Sequence, residues 1–275
     1  MIRAAIRRGR VLTGLVALLL TLGVLGGGTA SASAPTRVGG DVSWPQCPVG
    51  TGIPTRQGEG KPMPTRAASF VVLGLTNGPG FVPNPCLGRQ VRWSRRHHVW
   101  TSAYAMTTYP RRRQLARTGG SGPFATHRRL GRLRNSGYQQ ALFNVRTMAR
   151  VGAKSPIVWV DVEPYPVAPW TRSVRRNRAV VQGVVAGYES AGLRVGFYST
   201  PSMWRSLVGG LRYGYPEWHT AGGTTMAAAR AKCGHDSLQG GRTVLAQWWD
   251  DRRDHDVSCP GYARTLRMRR FFTRH

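Results

Sequence analysis

Seven short apolar runs, separated by segments with helical periodicity, constrain the fold of this chain more than any other feature of its sequence. Each run has five to eight residues and is rich in β-branched and aromatic side chains, which favour strands. The predicted strands are residues 37–44, 69–75, 99–106, 157–163, 194–199, 216–220 and 243–249.

Two of the intervening segments carry apolar residues at helical spacing. One helix is predicted from Ser136 to Arg150, and another from a capping Ser173 to a stop at Gly192. Alternation of strands and helices over this length predicts an α/β fold with a parallel sheet that closes into a (β/α) TIM-like barrel. The last strands follow one another with little room for helices, so the final third of the barrel is expected to be irregular.

The first 34 residues have the organisation of an export signal. Four arginines among the first ten residues precede a long apolar run, and TASASA then supplies small-residue cleavage sites. We therefore predict a signal peptide at residues 1–34 and a single barrel domain at residues 35–275. A retained membrane anchor is the alternative, because the apolar run approaches the ~18 residues that a membrane-spanning helix needs.

The charge of the chain predicts an anionic partner. It has 40 Lys and Arg against 11 Asp and Glu, a formal net charge of +29, and such a surface attracts nucleic acid or anionic wall polymers. No nucleic-acid module is recognisable, and the export signal favours the cell wall. Residues 111–134 hold eight arginines and no acid. They are predicted to form either a basic lip for an anionic glycan or a solvated, mobile loop.

The positions of the acidic residues predict a pocket. Solvated positions are expected for Glu59, Glu189, Glu217 and Asp236, and a charged turn for Asp250, Asp251 and Asp254. The remaining acids lie at or near predicted strand ends: Asp41, Asp161, Glu163 and Asp256. In a barrel the carboxyl ends of the strands converge on one face, so these four carboxylates are expected to surround one site.

Two of these acids, Asp161 and Glu163, stand in the stretch IVWVDVEPYP. Side chains alternate along a strand, so both carboxylates are expected on one face, where each raises the pKa of the other. Paired carboxylates hydrolyse glycosidic bonds, and aromatic rings beside them stack on sugars. Asp161 and Glu163 are therefore the candidate catalytic residues. The candidate substrate-binding residues are Asp41, Trp44, Tyr165, Trp248 and Asp256.

The segments GGDVSWPQC, SFVVLGLTNGPGFVPNPC, IVWVDVEPY, GLRVGFYSTPSMW, PEWHTAG and LAQWWDD occur in this order. They resemble family 25 glycoside hydrolases, the peptidoglycan muramidases, over about residues 38–262, and within that family a secreted actinobacterial branch. The resemblance implies an irregular barrel of about five β/α units followed by bare strands. The WPQC after Asp41, the cysteines and the Arg-rich residues 111–134 depart from the family pattern.

The resemblance also implies a role for each acid. Glu163 would protonate the glycosidic oxygen, and Asp161 would orient the N-acetyl group of the substrate as that group attacks the anomeric carbon. Asp41 and Asp256 would hold the sugar.

The four cysteines predict two disulfides in an exported protein. We expect Cys47 to pair with Cys86 and Cys233 with Cys259, with both bridges on one rim of the barrel. This pairing joins the loops of neighbouring strands and closes the shortest total loop length.

The sequence therefore predicts a secreted, wall-associated, monomeric hydrolase of β-1,4 bonds in peptidoglycan or a related N-acetylated glycan. Its expected partner is the wall glycan together with anionic wall polymers, with no nucleic acid, cofactor or metal. A catalytically silent wall-binding protein with the same barrel is the alternative. A metal-dependent deacetylase is less favoured, because no two histidines have the spacing of a metal-binding pair.

Overall fold

The computed structural model describes residues 35–164, 169–234 and 237–274. The predicted signal peptide at residues 1–34 lies outside the described residues, as do Tyr165 and Asp236. Within these ranges, no helix combines the length and the apolar character that crossing a membrane requires.

Eight strands close into a barrel, and two short strands form a separate hairpin. The barrel strands are β1 (Val38–Val42), β4 (Phe70–Gly74), β5 (Trp100–Met106), β6 (Ile157–Asp161), β7 (Arg194–Ser199), β8 (Glu217–Gly223), β9 (Thr243–Trp249) and β10 (Asp254–Ser258). They are arranged in the order β1-β10-β9-β8-β7-β6-β5-β4. The hairpin consists of β2 (Gly52–Ile53) and β3 (Arg56–Gln57). The predicted α/β barrel is confirmed.

Strand β10 was not predicted. It pairs antiparallel with both β9 and β1, whereas all other neighbours in the barrel are parallel. Its first residue, Asp254, therefore lies at the end of the barrel where the other strands finish. The expected charged turn covers Asp250 and Asp251, but Asp254 belongs to the strand.

Six of the seven α-helices in the described residues follow the middle strands of the barrel, and the seventh follows β10. They are α1 (Leu87–Arg96), α2 (Arg112–Thr118), α3 (Arg129–Val151), α4 (Val174–Ser190), α5 (Pro201–Val208), α6 (Met226–Ala231) and α7 (Thr265–Met268). Each strand from β4 to β8 is followed by at least one helix, and β9 leads to β10 with none. This agrees with the irregular final third that the sequence predicts.

One predicted helix needs correction. Helix α3 begins at Arg129 rather than Ser136, and α2 lies within residues 111–134 as well. About half of that segment is therefore helical, and only residues 119–128 between the two helices form the loop that was one of its two predicted forms. The cap of α4 is confirmed, because the side chain of Ser173 accepts a hydrogen bond from the backbone N–H of Arg176.

Aromatic side chains fill the barrel interior at the amino-terminal ends of the strands. Trp159 is fully buried there, and its ring centroid lies 6.2 Å from that of Trp218 and 6.1 Å from that of Phe271. Phe271 and Phe272 follow α7 and pack against Phe70 in the same cluster. Since this end is packed, the interior can open only at the carboxyl ends of the strands.

Both predicted disulfides, Cys47–Cys86 and Cys233–Cys259, are formed. The expectation that both lie on one rim is wrong. Cys47 and Cys86 follow β1 and β4 at the carboxyl ends of the strands, whereas Cys259 follows the antiparallel β10 and lies at the opposite end.

Candidate active site

A cavity of about 400 Å³ opens at the carboxyl ends of the barrel strands. Four carboxylates line it: Asp41, Asp161, Glu163 and Asp254. Five aromatic side chains line it as well: Trp44, Tyr104, Tyr198, Trp218 and Trp249. Three of the four acids predicted for the site therefore line this cavity. The fourth carboxylate in the cavity is Asp254, which was not predicted, rather than Asp256.

Asp161 is the last residue of β6 and is 3% exposed. Burial raises its pKa well above the usual range for aspartate, and the negative charge of Glu163 raises it further. Its Oδ1 atom is buried and has no hydrogen-bond partner among the described residues. An unmatched acceptor at a cavity wall is suited to receive a donor from a ligand.

Glu163 lies two residues beyond Asp161 and is half-buried. Its backbone carbonyl accepts a 2.9 Å hydrogen bond from Trp170 Nε1, which fixes the chain just after the strand. Burial raises the pKa of Glu163 to about 7, while the charge of Arg56 lowers it and that of Asp254 raises it. The sequence predicts that the charge of Asp161 raises the pKa of Glu163. In the structure, burial and the charge of Asp254 raise it instead. A carboxyl with this pKa is suited to general acid catalysis near neutral pH.

Asp41 is held by a hydrogen-bonded chain across the barrel. Its Oδ1 accepts from Gln247 Nε2 at 2.8 Å, and Gln247 Oε1 accepts from the hydroxyl of Tyr198 at 2.7 Å. Burial raises the pKa of Asp41, with further increases from the charges of Asp254 and Asp256. Three strands, β1, β9 and β7, therefore fix one polar wall of the cavity.

Asp256 does not line the cavity as expected. It is fully buried, and its Oδ1 accepts a 2.8 Å hydrogen bond from Trp218 Nε1. Its Oδ2 atom is buried and has no hydrogen-bond partner among the described residues. Burial raises the pKa of both Asp256 and Asp41, and the negative charge of Asp256 raises that of Asp41 further. Asp256 therefore supports Trp218 from below.

Asp254 takes the place at the cavity wall that was expected for Asp256. Burial raises its pKa, while the positive charges of Lys61 and His255 lower it. Asp254 was missed because β10 was not recognised, and an aspartate that follows four charged residues was assigned to a turn.

Alternation along β9 determines which tryptophan faces the cavity. Trp249 lines it and is 47% exposed, whereas Trp248 points outwards and stacks on His255 with ring centroids 5.1 Å apart. The absence of a side chain at Gly223 makes room for the Trp249 ring, since a Cβ atom on residue 223 would lie 2.7 Å from that ring. Trp248, which the sequence predicts to bind substrate, therefore lies on the other face of β9 and does not line the cavity.

The predicted Trp44 does line the cavity, and the guanidinium of Arg56 lies 5.4 Å from its ring centroid. Arg56 belongs to the hairpin strand β3 and lies outside every strand and helix that the sequence predicts. Nothing in the sequence indicated that it would approach Glu163. Tyr198 and Gln247 were also missed, although alternation places Gln247 on the same face as Trp249.

Glu217, expected to be solvated, is instead fully buried on the outer face of β8. It accepts hydrogen bonds from the hydroxyl of Ser237 and from the backbone N–H groups of Leu238, Gln239 and Gly241. Although burial opposes ionisation, the hydrogen bonds lower the pKa of Glu217 to about 2. Glu217 therefore anchors the loop before β9 and takes no part in the cavity.

No metal site accompanies the cavity in the part of the chain that the structure describes, because no three His, Cys, Asp or Glu side chains are grouped to hold an ion. His219 binds Glu217, and His255 binds Asp250. Neither histidine lines the cavity.

Comparison with known proteins gives consistent matches. The family model Lys-1, described as Lysozyme-like protein 1, matches residues 130–230, a range that includes Asp161 and Glu163. A curated relative, Probable GH family 25 lysozyme 4 of Dictyostelium discoideum, is 29% identical over 77 residues. That alignment spans 27% of this chain and 35% of the relative.

Two solved structures share the fold. A family GH25 lysozyme from Aspergillus fumigatus has a TM-score of 0.56 at 15% identity, covering 86% of this chain and 98% of that one. The bacterial lysozyme from Streptomyces coelicolor has a TM-score of 0.55 at 16% identity, covering 85% of this chain and 97% of that one. The chain is therefore similar in sequence to a lysozyme-like family over residues 130–230, and it shares the fold of GH25 lysozymes over most of its length.

Proposed function

We propose that this chain is a glycoside hydrolase that cleaves β-1,4 bonds of peptidoglycan or a related N-acetylated glycan. The observation that carries the proposal is the position of Glu163. Its carboxyl has a pKa of about 7, lines an open cavity, and stands two residues from Asp161 on the same wall. The likeness to lysozymes supports the choice of a wall glycan.

In the proposed reaction, Glu163 donates its proton to the glycosidic oxygen while the bond from that oxygen to the anomeric carbon breaks. The leaving sugar departs as an alcohol. The acetamido oxygen of the retained sugar forms a bond to the anomeric carbon, and a water molecule then opens the resulting ring. The water gives its proton to Glu163, which restores the acid.

Asp161 would orient the acetamido group during this reaction. Its unpartnered Oδ1 is available to accept a hydrogen bond from the acetamido N–H. The positive charge that develops on the acetamido group favours the ionised form of Asp161, which offsets the effect of burial on its pKa. Substrate assistance of this kind removes the need for a carboxylate nucleophile ~5 Å from the acid.

The remaining cavity residues would bind the sugar chain. Trp249 and Trp44 offer aromatic surface at the cavity mouth, and Asp41 offers an acceptor for sugar hydroxyls. Tyr165 remains a proposed substrate-binding residue outside the described residues. We also propose export by the segment at residues 1–34 and action on the wall as a monomer. The two disulfides are consistent with an oxidising compartment.

A glycan-binding protein without catalysis is the second candidate. Two observations favour it: the charge of Arg56 lowers the pKa of Glu163, and the exposed ring of Trp249 can hold a sugar whether or not a bond is cut.

Incubation of the full chain with purified peptidoglycan, and separately with chitin oligomers, tests the proposal. Reduction of the products followed by mass spectrometry identifies the sugar at each new reducing end. We expect new reducing ends on muramic acid from peptidoglycan. Binding to both glycans with no new reducing end from either would support the silent binder instead.

A further inference from the structure

The Arg-rich residues 111–134 form a second concave surface at the cavity end of the barrel. The segment leaves β5 just after Met106, which lines the active-site cavity, and the backbone N–H of Thr107 donates to the carbonyl of Asp161. Two further cavities, of about 600 and 790 Å³, lie on either side of the turn at residues 126–129. His127 and Arg129 line both.

Positive charge surrounds these two cavities without compensation. Their linings include Arg112, Arg128, Arg129, Arg132, Arg134, Arg175 and Arg176, but no Asp or Glu. Within the described ranges, none of these seven arginines forms a salt bridge with an acidic side chain. Arg128 and Arg134 donate hydrogen bonds to His127 Nε2 and Gln182 Oε1, but neither bond supplies a negative charge. The positive charge of the two cavities is thus available to an external anion.

Two helix N-termini add to this charge. Helices α3 and α4 begin beside the 790 Å³ cavity, and neither has an acidic residue in its first turn. Instead Arg129 opens α3, and Arg175 and Arg176 occupy the first turn of α4. Cations at the positive end of a helix dipole are unfavourable unless an anion lies nearby.

An orphaned hydroxyl provides an independent indication of a ligand. The Oη atom of Tyr109 is buried and has no hydrogen-bond partner among the described residues, and Tyr109 lines the 600 Å³ cavity with Arg112 and Arg132. A buried donor without an acceptor is costly, and a phosphate oxygen would satisfy it.

We propose that this surface binds an anionic wall polymer through its phosphodiester groups. Arginine binds phosphate in a bidentate fashion, and two adjacent basic cavities suit consecutive phosphates along one chain. Single-stranded nucleic acid needs exposed aromatic rings for base stacking. Here the Phe124 ring is half-buried and faces the guanidinium of Arg134 at 5.9 Å. The choice of a wall polymer rests on the proposed function, whereas the anion site itself does not.

Binding of a fluorescent poly(glycerol phosphate) oligomer to the full chain, measured by anisotropy, tests this proposal in the absence of peptidoglycan. Its outcome is therefore independent of whether the chain cleaves glycans. The triple variant Arg129→Gln/Arg132→Gln/Arg175→Gln should weaken binding by at least about tenfold. It should also make the slope of log K against log salt shallower by about one for each arginine that contacts a phosphate.

A matched control removes the same charge at the other end of the barrel. Arg267, Arg269 and Arg270 are exposed beside α7, which packs against the first residues of β4 and β6. The variant Arg267→Gln/Arg269→Gln/Arg270→Gln should change the affinity less than about twofold. Equal losses in the two triple variants would overturn the proposal, because they would show that net charge alone attracts the polymer.

One further variant and one competition experiment complete the test. Tyr109→Phe keeps the ring and removes only the orphaned hydroxyl, so it should weaken binding by about three- to tenfold. Unchanged affinity would contradict the role of the 600 Å³ cavity. A thymidine oligonucleotide of equal charge should compete poorly, and tighter binding of that oligonucleotide at the same arginines would overturn the assignment to a wall polymer.

Discussion

Asp161 and Glu163 face one cavity from the end of β6, and burial together with the charge of Glu163 raises the pKa of Asp161. The pKa of Glu163 is itself raised to about 7, chiefly by burial. Two interacting carboxyls with raised pKa values do not both ionise readily, so the pair retains a proton near neutral pH. That proton is what general acid catalysis requires.

The first prediction concerns pH. The general acid must be protonated, so kcat/KM should fall as pH rises through the pKa of Glu163, about 7. Arg56→Gln removes a charge that lowers this pKa and should move the falling limb to higher pH. Asp254→Asn removes a charge that raises it and should move the limb to lower pH. Rates of reducing-end release across a pH series measure both shifts.

Lys154→Gln serves as the control for this experiment, since Lys154 is exposed after α3 and does not line the cavity. The falling limb of kcat/KM against pH in Lys154→Gln should coincide with that of the wild type. Shifts of the same sign in Arg56→Gln and Asp254→Asn would show that Glu163 does not set the limb.

The second prediction compares two adjacent tryptophans. Trp249 lines the cavity, so Trp249→Ala should raise KM by about tenfold, because a ring stacked on a sugar contributes about 1 kcal/mol beyond area burial. Trp248→Ala should leave KM near the wild-type value and lower the melting temperature, since Trp248 packs outside the barrel. Steady-state kinetics and thermal unfolding distinguish them, and a raised KM in Trp248→Ala alone would refute the observed alternation of β9.

The third prediction concerns stability. Glu217→Gln replaces an acceptor of several hydrogen bonds with a group that cannot accept them all, and should lower the free energy of unfolding by about 3 kcal/mol. Urea unfolding measures this loss as a lower midpoint with an unchanged slope. Glu59→Gln is the control, because Glu59 forms only an exposed salt bridge with Lys61.

The same residue gives a pH dependence of stability. The pKa of Glu217 is lowered to about 2 in the folded protein from an ordinary value of 4.5. Its contribution is therefore complete above pH 4.5 and is lost as pH falls towards 2. The stability difference between wild type and Glu217→Gln should shrink over that interval. A difference that stays constant would mean that the ionised carboxylate is not what anchors the loop before β9.

The position of the candidate catalytic pair was predictable because it depends on local rules. An apolar β-branched run predicts a buried strand, alternation places Asp161 and Glu163 on one face, and the barrel brings the strand ends together. The disulfide pairing followed from the neighbouring strands. None of these steps needs information about distant side chains.

Asp254, the fourth carboxylate of the cavity, was not predictable in the same way. Strand β10 has only five residues, starts with three consecutive polar residues and follows a charged turn, so it carries no apolar run. Only the closure of the barrel brings it between β9 and β1. That tertiary pairing places Asp254 at the cavity wall and buries Asp256 beneath it.

The burial of Glu217 was also not predictable from its own segment of the sequence. Its neighbours along the chain gave no sign of burial, and apart from His219 the groups that satisfy it come from residues 237–241, about two dozen positions away. A buried carboxylate whose donors are backbone N–H groups of another loop leaves no pattern in its own segment. Trp248 and Trp249 differ for a simpler reason: adjacent strand residues face opposite sides, and only the register of β9 decides which one faces inwards.

Glycan cleavage by Glu163→Gln tests the account most directly. Gln keeps the size of the side chain but cannot donate the proton, so reducing-end release from peptidoglycan should fall by about 10²–10⁴. Binding to the same peptidoglycan should be unchanged, and Glu189→Gln, on the surface of α4, should cleave at the wild-type rate. If Glu163→Gln releases reducing ends as fast as an active wild type, the assignment of Glu163 as the general acid is contradicted.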